Sequence, residues 1–159
     1  CARLYSSRTG DRQSTLKFSS RKGVANVQAS ATWKKEMVFD SLSHSGHTVV
    51  FDGDPAHTQG PSPMETVLMG LCGCTAIDVI SILKKKREAF TGLTVSAVAE
   101  QSSDAPKVFT HVKLIYRVSG TVSRKAMEDA VHLSETKYCS VAGMISKTAK
   151  IEFLIEYAN

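Results

Sequence analysis

Ser62-Pro-Met-Glu-Thr-Val-Leu-Met-Gly-Leu-Cys-Gly-Cys-Thr-Ala-Ile-Asp78 opens the main apolar run of the chain. Its start carries helix signals. Ser62 can cap, Pro63 suits the first helical position, and Glu65 completes a Ser-x-x-Glu capping box. The pattern predicts a helix to about Lys86 or Arg87, where Lys84, Lys85, Lys86 and Arg87 complement the negative end of the helix dipole. Asp78 and Ser81 interrupt the apolar stretch 67–83, so a buried core helix is expected rather than a membrane span. Gly70 and Gly73 weaken the helix on propensity alone, so they predict an element packed closely against it, such as another helix.

On the N-terminal side, strand-like segments fall at 27–33, 37–39 and 47–51. Asp52-Gly-Asp-Pro55 marks a turn, and 56–61 reads as a polar loop leading into the helix. On the C-terminal side, strands are expected at 93–100 and 108–118, with a hairpin loop around Asp104-Ala-Pro106. A second helix begins near Ser123, with Ala126, Ala130, Val131 and Leu133 as its apolar stripe. A shorter third helix starts at Cys139 or Ser140, and a strand at 151–157 closes the chain. The order βββ-α-ββ-αα-β defines an α+β domain over 26–159, with antiparallel sheet covering long helices.

Composition narrows the function classes. With 159 residues and 42% hydrophobic content, the chain has enough apolar mass for one packed domain and too much for a disordered one. The net charge of +5 resides in residues 1–23, and the remainder sums to zero. The expected folded part is therefore not a nucleic-acid binder. Residues 1–25 read as a separate basic, Ser/Arg-rich tail, either a transit-peptide remnant or a disordered extension; if the protein is a structural subunit, the tail would anchor it in a larger assembly. No apolar leader precedes the cysteines Cys1, Cys72, Cys74 and Cys139, so a reducing compartment is expected. The cytoplasm is the first expectation, and a mitochondrion or plastid is the alternative the tail suggests.

The thiols carry the chemistry. On a helix, Cys72 and Cys74 point about 200° apart, so only one of them can share a pocket with Cys139. Cys72 is most simply a core residue. Cys139, at a helix start, has the better local case for a lowered thiol pKa. Two thiols joined by folding would make a peroxide-reducing pair, one attacking and one resolving. Asp78 lies one turn beyond Cys74 on the same face, and a buried acid there needs a partner, a backbone cap or a cation. Glu65 is first a capping acid and second a site candidate. His47 and His57 flank the loop before the helix and are the histidines of interest. Tyr138, next to Cys139, could donate to a thiolate. Cys-Gly-Cys lacks the spacer of common zinc knuckles, so neither a metal nor a cofactor is expected.

The segment 62–83, taken with Lys137-Tyr-Cys-Ser-Val-Ala142, resembles the OsmC/Ohr family of thiol peroxidases and, within it, the YhfA-like subgroup. The likeness covers about 27–157. It implies an intertwined homodimer with sites at the interface, Cys74 as peroxidatic thiol and Cys139 as resolving thiol. It further implies small organic or lipid hydroperoxides as substrates and an external dithiol as reductant. The sequence departs from the family at one point. Family members pair an arginine from the N-terminal strands with a glutamate whose position here is Met64; Glu65 matches the next family acid. Residues 27–61 contain no arginine, only Lys34 and Lys35. Lysine cannot reproduce the bidentate fork of arginine. Two readings follow: Cys74 is activated otherwise, by His47 or helix dipoles, or the protein is a catalytically weakened structural or binding subunit.

Overall fold

In the computed structural model, which describes residues 26–158, the chain divides between Gly60 and Pro61 into two units. The basic tail 1–25, with its expected anchoring or targeting role, lies outside the described residues.

The first unit is a three-stranded antiparallel meander of β1 (Ala29–Lys35), β2 (Val38–Ser43) and β3 (Thr48–Asp52). Its register sets Trp33 opposite Phe39 and Phe39 opposite Phe51. Asp52 then organises the loop that follows. The backbone amides of Asp54 and Gln59 donate to its two carboxylate oxygens at 2.9 and 3.0 Å. Those amides hold the Asp52 carboxyl below the usual carboxylate range. The loop returns so close to β3 that a Cβ on Gly60 would sit 2.2 Å from the Val50 carbonyl oxygen. Only glycine fits such an approach.

The second unit begins with α1 (Pro63–Lys85). Its capping box is formed: Glu65 N–H donates to Ser62 Oγ at 3.2 Å, and Ser62 N–H donates to Glu65 Oε2 at 2.7 Å. Leu71, Thr75, Val79, Ile82 and Leu83 are buried, a stripe at helical spacing. The rest of α1 stays apolar yet open. Met69 and Ile77 are 59% and 71% exposed. A core helix was expected, and one face alone meets that expectation. Apolar residues occur on every side of α1, so periodicity cannot tell the inward face from the outward one. By length and composition the helix is also apolar enough to cross a membrane. Nothing lies within 4 Å of a Cβ built on Gly70 or Gly73, so these glycines face no neighbour within the unit.

The accompanying sheet is β4 (Ala89–Gln101), β5 (Phe109–Thr121) and β6 (Lys150–Ala158), in that order. β4 and β5 form the expected antiparallel pair. β6, however, runs parallel to β5, with Val112 opposite Ile151 and Tyr116 opposite Ile155. The reason lies in the connection. The chain crosses over through α2 (Arg124–Leu133), a π-helical turn (Ser134–Tyr138) and α3 (Ser140–Ile145), and so returns to the start of β5 before pairing with it. Along β5, Val112, Leu114, Tyr116 and Val118 alternate into the core, each at most 1% exposed. Ser123 caps α2 through the Ala126 amide at 3.1 Å, and Ala126, Met127, Ala130 and Val131 face inward. The observed order thus matches the expected one, with the π turn inserted before α3.

Replacing Gly60 with alanine forces the loop off the Val50 carbonyl. Gly60→Ala is expected to cost about 1–3 kcal/mol, as overpacking does. The urea midpoint reads this, and an unchanged midpoint would show that the loop yields freely.

Candidate functional site

Three side chains converge beneath α1. Cys74 and Asp78 lie one turn apart on that helix, and Cys139 comes from the far end of the crossover. The two sulfurs and a carboxylate oxygen all lie within 4.8 Å of one another. Cys74 and Asp78 are half-buried, while Cys139 is only 4% exposed.

The π turn delivers Cys139. Its N–H donates to the Ser134 carbonyl at 2.8 Å, closing a ring one residue wider than an α turn. Cys139 then serves as the N-cap of α3, and its Sγ accepts the Ala142 N–H at 3.3 Å. A lowered pKa was expected for this thiol, and the structure corrects that. Burial pushes the Cys139 thiol well above its usual range, and the neighbouring Cys74 raises it further. The Ala142 and Val141 amides oppose the rise without overcoming it. A helix of six residues has little dipole to add.

A buried polar chain supports the pair. Ser134 Oγ donates to Asp78 Oδ2 at 3.0 Å. The single proton of Ser134 is thereby used, so Thr75 donates to Ser134 Oγ at 2.9 Å. The Tyr116 hydroxyl shares its proton between Thr75 at 2.7 Å and Glu135 Oε1 at 3.5 Å. Thr75, Tyr116 and Ser134 are fully sealed from solvent. Burial raises the Tyr116 hydroxyl pKa and lifts the Glu135 carboxyl to about 7. Among the described residues, the partner of Asp78 is therefore a serine hydroxyl rather than a cation or a backbone cap.

Glu65, Cys72 and Tyr138 belong to the same unit as this cluster, and His47 and His57 belong to the first unit. Glu65 closes the capping box and also borders a cleft of about 480 Å³ with Pro61, Leu68, Met69, Cys72, Val95 and Ala97. Cys72 is half-buried in that cleft, and burial raises its thiol pKa. His47 belongs to the β2–β3 hairpin, where its Nδ1 lies 3.0 Å from Ser45 Oγ and its N–H donates to Ser43 Oγ. His57 places Nδ1 2.9 Å from the Asp52 carbonyl oxygen. Tyr138 is 49% exposed, with Lys137 Nζ 5.4 Å from its ring centroid. The Tyr116 hydroxyl is close enough to Cys139 for the charge of that residue to affect its titration. Sequence reasoning missed Thr75, Tyr116, Ser134 and Glu135. One signal was present: Thr75 occupies a core-stripe position of α1, and a buried hydroxyl there demands a partner.

The family model described as "OsmC-like protein" matches residues 54–153, and the chain belongs to that family. It is 42% identical to Protein YhfA of Escherichia coli over 126 residues, covering 79% of this chain and 93% of that protein. A hypothetical protein of Aquifex aeolicus superposes with a TM-score of 0.74 at 28% identity, over 86% of this chain and all of that one. The organic hydroperoxide resistance protein OhrB of Bacillus subtilis shares the fold at 14% identity, with a TM-score of 0.62 over 83% of this chain and 98% of that one.

Glu135 gives the site a pH signature. Its folded pKa of about 7 exceeds the ordinary 4.5, so the folded state binds the extra proton between those values. Its contribution to stability is full below 4.5 and is lost as pH rises through 7. Glu135→Gln is expected to lose less stability than the parent across this window, measured by urea midpoints at a series of pH values. Parallel curves for the two proteins would refute the assignment.

Proposed function

We propose that the protein is a thiol-dependent peroxidase acting on small organic or lipid hydroperoxides through Cys74 and Cys139. The observation that carries this reading is the meeting of two sulfurs from positions 74 and 139 within 4.8 Å. Cys74 is the more exposed and is the attacking group. Its thiolate displaces alcohol from the hydroperoxide, leaving Cys74 as a sulfenic acid. The Cys139 thiol then attacks that sulfur, its proton leaves with the hydroxyl as water, and a disulfide forms. An external dithiol restores both thiols by exchange.

The raised pKa of Cys139 suits this order. Part of the rise comes from Cys74, through a hydrogen bond and its charge. Oxidation of Cys74 to a neutral sulfenic acid removes the charge. Cys139 thus becomes easier to ionise at the step that requires it. Membership of a family that includes organic hydroperoxide resistance proteins supports the substrate class.

A second reading, a weakened binding or structural subunit, is favoured by the arginines. Among the described residues there are three. Arg117 pairs with Glu156 at 2.8 Å, and Arg124 lies 4.6 Å from the Tyr157 ring centroid. Arg87 follows Cys74 by thirteen residues, about 20 Å of helix. The open face of α1 adds a homodimer to the proposal. Met69, Gly73 and Ile77 share one face, and the glycine admits a second helix at close range.

Purified protein with a dithiol is expected to consume cumene hydroperoxide, and Cys74→Ser is expected to fall to the uncatalysed background. Cys139→Ser should accumulate a sulfenic acid that dimedone traps. Absence of turnover by the parent protein would leave the binding-subunit reading. Ile77→Arg places a charge in the open face of α1, and sedimentation is expected to find a monomer where the parent is a dimer. A variant that still sediments as the dimer would move the interface elsewhere.

A further inference from the structure

We propose that Cys74, Cys139 and Asp78 bind one thiophilic divalent cation, zinc being the representative ion. The inference stands on geometry and is independent of peroxide chemistry. Two thiol sulfurs and one carboxylate oxygen within 4.8 Å form a mixed soft and hard donor set of the kind zinc accepts. Around a tetrahedral zinc, with Zn–S of about 2.3 Å, donor atoms lie roughly 3.5–3.8 Å apart. Closing on the ion thus needs movements of about 1 Å or less. Three protein ligands leave the fourth position open, and two of them, Cys74 and Asp78, are half-buried rather than sealed.

The surrounding contacts point the same way. Metal-binding carboxylates are themselves held by hydrogen bonds. Here Ser134 Oγ donates to Asp78 at 3.0 Å, and Thr75 fixes Ser134 at 2.9 Å. Both hydroxyls are fully buried. Cys139 Sγ already accepts the Ala142 amide at 3.3 Å, a contact that suits a thiolate. Spacing within Cys-Gly-Cys gives no hint of this, because Cys72 points away and the second sulfur arrives from residue 139.

Binding needs no redox partner. The cation forms two metal–sulfur bonds with thiolate sulfurs, releasing the proton of any sulfur still protonated, while Asp78 binds as the carboxylate. The bound ion holds both sulfurs as thiolates and occupies the electron pairs a disulfide would use. Cation and disulfide therefore exclude each other.

The test uses the full chain, reduced and free of peroxide. Titration with Co²⁺ is expected to produce a sulfur-to-metal charge-transfer band that saturates at one ion per chain and is displaced by Zn²⁺. Protons should be released as the ion binds in weakly buffered solution. Cys72→Ser is expected to bind as the parent does. Cys74→Ser and Cys139→Ser should each lose the band, and Asp78→Asn should weaken binding by about 10–100-fold. Alkylation mapping on the unmodified sequence guards against variants that fail to fold. Zn²⁺ should protect Cys74 from N-ethylmaleimide and leave Cys72 reactive, and diamide-oxidised protein should bind no Co²⁺. Absence of the charge-transfer band, its persistence without Cys74 or Cys139, or equal protection of Cys72 and Cys74 overturns the proposal. Peroxidase activity plays no part in these readings, so failure of either proposal leaves the other standing.

Discussion

A hydroxyl at the centre of the second unit fixes where the chemistry can occur. Thr75 lies on the buried stripe of α1 and contacts Tyr116 of β5 at 2.7 Å and Ser134 of the π turn at 2.9 Å. One side chain thus joins the long helix, the middle strand and the crossover. All three oxygens are sealed from water, so losing any of these bonds leaves an unpaired polar atom in the core. Cys74 precedes Thr75 and Asp78 follows it by three residues, so the rotation of α1 that suits Thr75 also aims both of them at the crossover. Packing and site geometry are therefore one problem with one solution.

The chain's order of elements was legible because local signals agree with one another. Ser62, Pro63 and Glu65 mark the start of α1, Ser123 marks that of α2, and alternation along β5 puts Val112, Leu114, Tyr116 and Val118 inward. The family resemblance rested on the α1 segment 62–83 together with 137–142. What escaped had no local signature. The parallel pairing of β6 depends on where a long crossover ends. The π turn follows from a single wider ring, which no periodicity announces. The thiol titration was misjudged because a helix start is visible in sequence, whereas the burial that outweighs it is not.

Tyr138 and Tyr116 illustrate the same limit. Adjacency in sequence favoured Tyr138, yet at the π turn that side chain points outward, beneath Lys137. Tyr116 lies 23 residues upstream of Cys139, and sheet register places it among the polar partners. Asp78 tells the converse story. Its spacing from Cys74 correctly placed the two on one face, because the i, i+4 relation survives any tertiary context.

The wider ring at Ser134–Tyr138 also makes this stretch a counting device. An α-helix advances by about 100° per residue, so omitting one residue would turn everything downstream by that angle. The sulfur at 139 would swing off its mark, while α3 and the final strand inherited the error. Insertions and deletions in the loop between β4 and β5 carry no such penalty, since the hairpin only lengthens or shortens its tip. Natural length variation in this chain should therefore gather at that tip and spare the segment before Cys139.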